Sequence, residues 1–486
     1  MNYNNDYNWA GGKKSEWRCP VSLLLIILCI TIVGTMLITF NFASNWVGQQ
    51  DLLVIQQQQQ TIDNLNNAIK EQDKWIDYLQ GAYGSDGDFK KLEILATLLK
   101  NYSYNANNFN EEEMLEEVLH AYIKATGDDY AAYYTEEEYA EILSDNSGSG
   151  IGVGVSVVQE SLTVSGQEYL TFQIITIFQN SPANSSGLLL GDHVYAIEVD
   201  GEYQTISQLG GYTTALKALR GDAETTVKLR AFRDDGNGGY NSIEFAIVRN
   251  TYTRESVTFR VSETDSSIGI VQIAEFDLQA PIQFKQAVQA LQKQGIQKII
   301  FDVRDNPGGD LQSIKAVLSC ILNDGDLILS AINNEGEVDY SVYAGQLSYT
   351  GSYVTCNVAQ EEVGMFANLK MVVLCNNNTA SAAEVFTASL RDHKNVTIVG
   401  ETTFGKGIMQ RYISLASLTG GAYDGWVKMT THAYLTECGV TYHNIGIPPT
   451  EGYDVALDDA AKEYNFYLLP ESLDNQLQKA IEAVNK

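Results

Sequence analysis

From residue 267 onward the chain alternates apolar runs with amphipathic stretches. SIGIVQIAEF (267–276) carries the apolar density of a strand, and Ile282 to Lys293 spaces its apolar positions as a helix does. KIIFDV (298–303) is a continuous apolar run, the pattern of a strand buried on both faces of a parallel sheet. Leu311 to Leu322 then reads as helix, Lys370 to Cys375 as strand, Ala382 to His393 as helix and Val396 to Val399 as strand. Strand and helix in alternation predict an α/β architecture.

Upstream the period changes. Val153 to Arg249 is a series of short β-branched runs between turns: GVGVSVV, YLTFQIITIF, HVYAIEVDG, TTVKLRAF and SIEFAIV. A glycine-rich break, DNSGSGIGVG (145–154), separates them from residues 89–143, which read as two or three helices with an apolar stripe at Phe89, Leu92, Leu95, Leu98 and Leu99. Nearer the N-terminus Ile55, Ile62, Ile69 and Ile76 recur every seven residues with Leu65 and Leu79 between them. That seam fits a short coiled coil, hence a homodimer, and equally a lone stalk helix; both readings stay open. VSLLLIILCITIVGTMLITF (21–40) is free of charge over the length a bilayer core requires. Lys13, Lys14 and Arg18 precede it and no basic residue follows until Lys70, so the expectation is a single retained membrane anchor, a cytoplasmic N-terminus and an exported body. The run exceeds the core of a usual signal peptide, and no A-x-A site follows it.

Charge and cysteine content narrow the function classes. Asp and Glu total 61 against 31 Lys and Arg, a net charge of -30 that argues against nucleic acid as a partner. Residues 110–145 hold twelve of the acids against Lys124 alone, a solvated helical face. Four cysteines lie outside the anchor region, at 320, 356, 375 and 438. Cys320 and Cys375 sit in apolar periodic segments that suit buried thiols, so no obligatory disulfide is expected.

Three loops carry candidate chemistry, each following an apolar strand. DVRDNPGGD (302–310) makes a Pro-Gly-Gly turn that exposes backbone amides; Ser381 opens a helix after Lys370 to Cys375; and in ETTFGKGIMQ (401–410) Lys406 stands between two glycines. Sites in α/β sheets collect at the carboxyl ends of strands, so the three loops are expected to meet. A serine at a helix start is usually a cap, and on its own Ser381 would be read so. No His-Glu-x-x-His occurs, and His432, Cys438 and His443 lack ligand spacing, so neither metal nor cofactor is expected. A His triad through His393, His432 or His443 lacks a loop motif with a paired acid.

Two resemblances follow from these residues. The GIGV stretch, Ser-Pro-Ala at 181–183, the G-L-x-x-G-D run 187–192 leading a strand that ends in Asp200-Gly201, and the helical TTALKALRG (213–221) together resemble a PDZ domain. R-x-N-P-G-G (304–309), A-S-A-x-E (380–384) and T-F-G-K-G-x-x-Q (403–410) resemble the carboxy-terminal processing peptidases, PDZ-containing serine proteases with a Ser-Lys dyad, over about residues 89–460. The chain departs from that family's pattern at Asn-Thr-Ala-Ser-Ala-Ala-Glu (378–384), where the middle serine is kept, and at Thr-Glu-Cys-Gly-Val (436–440), where substrate contacts would differ.

The family resemblance implies an α/β protease core of crotonase-like ββα units with an inserted PDZ-like β domain and an N-terminal helical region, to which the apolar run read above adds one transmembrane helix. Together these readings give the division 1–20 cytoplasmic tail, 21–40 anchor, 50–80 stalk, 89–146 helical region, 147–250 PDZ domain, 251–465 protease core and 466–486 C-terminal helical segment. Ser381 would be the nucleophile, Lys406 its base and Gln410 the residue that orients the amine. Amides of Gly308 or Gly309 and of Ala382 would hold the oxyanion. Gly150, Ile151, Gly152 and Val153 would capture a substrate's terminal carboxylate, the partners being proteins or peptides with free C-termini. A lysine amine has a reference pKa of about 10.4, so acting as base near neutrality needs roughly 4 to 5 kcal/mol of disfavour for its charged form, which desolvation can supply. Asp392, at the far end of the nucleophile helix, is read as structural. The rival class is an inactive PDZ adaptor or a ligand-binding protein of the same fold.

Overall fold

The computed structural model describes residues 90–486 apart from 106–107, 351–354 and 463. Two units emerge, one of residues up to Glu136 with Tyr412–Lys428, the other of Glu137–Arg411 with Met429–Lys486. In the first, helices Lys90–Tyr102 and Glu111–Lys124 precede a short strand, Ala132–Tyr134, which pairs with residues 426–428. Asn110 caps the second helix by accepting from the Glu113 amide, and three glutamates in its first turn suit the helix dipole.

The second unit is built on a five-stranded sheet in the order Val257–Val261, Ile268–Ile273, Lys298–Asp302, Lys370–Cys375, Thr397–Gly400. The first pair is antiparallel and the other three are parallel. Successive side chains of each strand enter different cores, which is why the runs are continuously apolar. Val271, Ile299, Phe301, Val373 and Cys375 pack under helices Ala280–Lys293, Leu311–Ser319 and Ala382–Lys394. Ile270, Ile300, Val372 and Leu374 face the C-terminal helix Asn475–Asn485 through Leu477, Ala480, Ile481 and Val484. Removing either layer would expose half of each strand.

Between the helical segment Glu136–Asn146 and this sheet stands a six-stranded antiparallel domain. Its path runs Val155–Val164, Gln167–Ile177, His193–Val199, Thr226–Asp234, Tyr240–Val248, with Glu202–Thr205 on His193–Val199 and helix Tyr212–Leu219 closing one side. Phe172, Ile174, Ile197, Leu229 and Ile247 form its own core. Ser149–Gly152 and Asn250–Thr253 pair with each other at the two crossings into this domain.

Two expectations change here. The single-pass membrane localisation is corrected: among the described residues no helix is long and apolar enough to cross a membrane, and the 21–40 run lies outside them, as does the 50–80 seam on which the homodimer rested. Gly150 and Gly152, expected in a loop, belong to a strand, and the left-handed glycines of this stretch are Gly148 (φ 67°) and Gly154 (φ 77°). Gly150 is small because Tyr252 lies opposite: a Cβ there would come within 2.7 Å of the phenol oxygen. The cysteines stand as thiols, Cys320, Cys356 and Cys375 buried and Cys438 exposed.

Candidate active site

Strands Lys298–Asp302, Lys370–Cys375 and Thr397–Gly400 run parallel, and the loops leaving their carboxyl ends carry the Pro-Gly-Gly turn, Ser381 and Lys406. Ser381 has φ 53° and ψ −118°, a left-handed backbone that a serine holds at a cost of roughly 1–3 kcal/mol. Its hydroxyl makes no capping bond to the helix that follows, where the Glu384 amide bonds instead to the Ser381 carbonyl oxygen. Such a strained strand-to-helix turn projects a side chain away from the helix, the geometry of a nucleophile elbow.

Glu384 holds the corner together. Fully buried, it accepts from the Thr403 hydroxyl (2.6 Å) and the Gly405 amide (2.7 Å) on Oε1. On Oε2 it accepts from the Ser381 amide (2.9 Å) and the Lys406 amide (2.7 Å). Two amides sharing one oxygen lie no further apart than those lengths together, so the backbones of Ser381 and Lys406 are neighbours. Burial pushes the Glu384 carboxyl up, and the four donors offset that only in part. Sequence reading used this glutamate as a motif letter and gave it no role. The signal was there: Ser-Ala-Ala-Glu is the spacing at which a third-position glutamate reaches back to the amide of the capping residue.

Glycines set the remaining contacts. A Cβ on Gly308 (φ 111°) would stand 2.7 Å from the Ser381 Cβ and 2.9 Å from the Ala382 nitrogen, so Gly308, Ser381 and Ala382 are in direct contact. The Gly308 amide donates to Asn306 Oδ1 (2.8 Å), and the same asparagine's carbonyl accepts from the Ala380 amide. The Gly308 carbonyl and the Asp310 amide bond to Phe276, and neither bond uses the Gly309 amide. Gly405 and Gly407 bring the Lys406 loop against residues 443–446, where side chains at either glycine would meet backbone nitrogens at 2.9–3.0 Å. Gln410 donates to the Thr430 hydroxyl (3.1 Å).

Two of the three candidate histidines lie away from this corner: His393 bonds to the Leu327 carbonyl oxygen at the far end of helix Ala382–Lys394, and His432 pairs with Asp339. His443 packs against Gly407 in the Lys406 loop, with its Nδ1 buried and without a hydrogen bond. Asp392 bonds to Arg391. Among the described residues no cluster of three or more His, Cys, Asp or Glu could hold a metal ion.

Arg304, just before the turn, is buried with its guanidinium bonded to Asp302 (2.7 Å), Asp474 (2.7 Å) and Gln476 (3.1 Å). Burial works against its charge, but the two carboxylates more than compensate and hold it protonated. A cleft of about 410 Å³ is bordered on one side by Ile151 to Val157 and by Leu216 and Leu219 of the antiparallel domain, and on the other by Thr258 and Gln272 of the five-stranded sheet, by Ala274 and by Tyr467. Ile151 to Val153, part of the expected carboxylate site, reach it where they lead into the Val155–Val164 strand.

A serine on a strained strand-to-helix turn stands beside a lysine loop and a Gly-Gly turn on an α/β core. Residues 267–452 match the model described as peptidase family S41. A Staphylococcus haemolyticus protein named "Probable CtpA-like serine protease" is 28% identical over 363 residues, covering 74% of this chain and 64% of its own length. The carboxy-terminal processing protease CtpA of Bacillus subtilis is 27% identical over 372 residues, 76% of this chain and 70% of that one. A solved structure described as an S41 protease of Bacteroides fragilis shares the fold, with a TM-score of 0.52 at 16% identity over 75% of this chain and 90% of that one.

Proposed function

We propose that the chain is an endopeptidase that docks substrate C-termini in its PDZ-like domain and cleaves peptide bonds with a Ser381/Lys406 dyad through an acyl-enzyme. The observation that carries the reading is the shared Glu384 oxygen, which keeps the backbone of a strained, uncapped serine beside that of a lysine. In this reading Lys406 takes the Ser381 proton, as lysine does in Ser-Lys variants of the triad. Gln410 has no charge, so it orients the amine without favouring its protonated form. Because the Gly308 amide already serves Asn306, the reading assigns the oxyanion to the amides of Gly309 and Ala382. Residues 147–250 would take an extended peptide along the Val155–Val164 edge, its carboxylate meeting Gly150, Ile151, Gly152 and Val153.

The test is casein digestion by the full chain beside Ser381→Ala and Lys406→Arg. Arginine stays protonated and cannot act as base. Loss of cleavage in both variants, with chelators without effect on the unaltered chain, is the expected result. Inertness of all three proteins favours the adaptor, and substantial activity of Lys406→Arg removes lysine from the mechanism.

A further inference from the structure

Strands Lys298–Asp302 and Lys370–Cys375 pair as far as Asp302 and Leu374, and their ladder ends where the Val303 amide donates to the Leu374 carbonyl oxygen. From there the chains leave as two turns, one to Gly308–Gly309 and the other to Ser381, and side chains take over the work of joining them. The Thr379 hydroxyl donates to the Val303 carbonyl oxygen (2.8 Å) and accepts from the Asn376 amide (3.0 Å). The Asp305 amide donates to Asn376 Oδ1 (3.0 Å). In return Asp305 Oδ1 accepts from Asn376 Nδ2 (2.8 Å) and from Asn378 Nδ2 (2.8 Å). The backbones meet again one step further on, where the Ala380 amide reaches the Asn306 carbonyl oxygen (2.9 Å). Asp305 has φ 58°, so each turn carries a left-handed residue that is not glycine, Asp305 on one and Ser381 on the other. Such angles persist only where the surroundings hold them.

We propose that Asp305 is a positioning residue that sets the spacing between the Gly308–Gly309 turn and Ser381. The proposal rests on the dyad reading above, in which the amides of Gly309 and Ala382 hold the oxyanion. Asp305 grips Asn378, three residues before Ser381. Its neighbour Asn306 is fully buried and donates to the Ile273 carbonyl oxygen (2.8 Å), while its Oδ1 holds the Gly308 amide and its carbonyl holds the Ala380 amide. A residue bonded on every side passes a displacement on instead of absorbing it. A turn that needed only a positive φ would be served by glycine; what the aspartate adds is one oxygen that accepts two amides from the opposite turn. Oxyanion donors act at about 2.7–3.1 Å from the position where the charge develops. A small shift of the turn therefore weakens the transition state more than the bound substrate, and the loss falls on kcat.

The experiment is steady-state cleavage of a fluorogenic peptide by the full chain and its variants. Asp305→Gly suits the left-handed backbone but lacks the acceptor, so kcat should fall by about 10-fold to 10²-fold while KM stays within about threefold. Asp305→Asn keeps both an acceptor oxygen and the tolerance for a positive φ, and it should retain at least about half of kcat. Asn378→Ala, at an exposed position, removes one of the two amides and should lower kcat by about threefold; it serves where Asp305→Gly does not fold. Full kcat in both Asp305→Gly and Asn378→Ala overturns the proposal while the dyad reading stands, and so does a loss that appears in KM alone. Asp305→Asn as impaired as Asp305→Gly also overturns it, since the shared oxygen would then not be what matters. No turnover by the unaltered chain, or undiminished turnover by Ser381→Ala, overturns both.

Discussion

Around Ser381 one buried carboxylate takes four hydrogen bonds, and Gly308, Gly405 and Gly407 have no room for a side chain. Along the cleft, strand Val155–Val164 is at the edge of its sheet, with one paired neighbour and side chains that are half-buried over Val155 to Val158 and alternate with exposed ones from Gln159 on. The corner is closed to change and the cleft is open to it. Reacting groups must be held to fractions of an ångström, which needs locked supports. A sheet edge binds mostly through main-chain groups that every peptide possesses, so it works without a lock.

The sharpest way to break the contrast is Glu384→Gln. An amide nitrogen cannot accept, so two of the four donors lose their partner, at about 1–3 kcal/mol of stability each: the Ser381 and Lys406 amides or the Thr403 hydroxyl and Gly405 amide, according to the position the glutamine nitrogen takes. Turnover should fall by about 10²-fold or more, since small misplacements of reacting groups cost that much, while affinity for a peptide with a free apolar C-terminus changes far less. Steady-state kinetics and peptide titration read the two separately, and a loss of the same size in both would show that the Glu384 bonds support the cleft as much as the corner. Gly308→Ala comes next: its methyl would press on the Ser381 Cβ and the Ala382 amide, and kcat should drop about 10-fold or more with KM little changed.

Protonation separates the ends of the same body more gently. Burial pushes the Asp277 carboxyl up to about 6 despite its bond from Ser256. An unfolded aspartate titrates near about 3.9, so between these values the folded chain holds a proton that the unfolded chain has released. Its contribution to stability is present below the lower value and lost as pH rises through the upper one. Glu471 behaves in the opposite sense. Burial pushes its carboxyl up, but Ser262, Arg260 and the amides of Glu263 and Thr264 outweigh that and hold it down at about 2. Its contribution is present above the unfolded value of about 4.3 and is lost as pH falls toward the folded one. Denaturant unfolding in a Ser381→Ala background should show Asp277→Asn stabilising by about 1–2 kcal/mol at pH 8 and by less at pH 5. Glu471→Gln should destabilise at pH 7, with the penalty shrinking between pH 5 and 3. A pH-independent difference in either variant would assign its effect to packing alone.

The smallest effect concerns the cleft. Tyr212 donates its hydroxyl to the Glu160 carbonyl (2.6 Å) at the edge an added strand would use. Tyr212→Phe removes a bond of about 1 kcal/mol, so peptide affinity should rise by up to about fivefold. Isothermal titration measures it, and weaker binding would show that the phenol helps the peptide rather than competing with it.

Much of this corner was legible in the sequence because its parts are local. Apolar runs gave the parallel strands, and the three motifs lie where those strands end, so Ser381 and Lys406 could be named before their geometry was known. What escaped depends on residues far apart in the chain. Nothing near Glu384 announces that Thr403 and Gly405 will bond to it, and Asn306 looks like an ordinary turn residue until its side chain is seen on the Gly308 amide. The contacts of residues 465–474 were invisible for the same reason: Asn465 finds Gln173, and Phe466 and Asp474 find Arg304, only after folding. Gly150 and Gly152 misled in another way, since glycine serves close packing as readily as left-handed turns, and only the presence of Tyr252 decides which.

The backbone of Ser381 sets stability and activity against each other at one position. Glycine takes such angles without strain, so Ser381→Gly would relax roughly 1–3 kcal/mol while deleting the hydroxyl that the proposed mechanism uses. A population of variants screened for heat resistance alone would drift toward glycine at 381 and arrive at a sturdier, silent protein. A population screened for cleavage would keep the serine and accumulate its compensations elsewhere, in the sheet and the helices that hold the elbow bent.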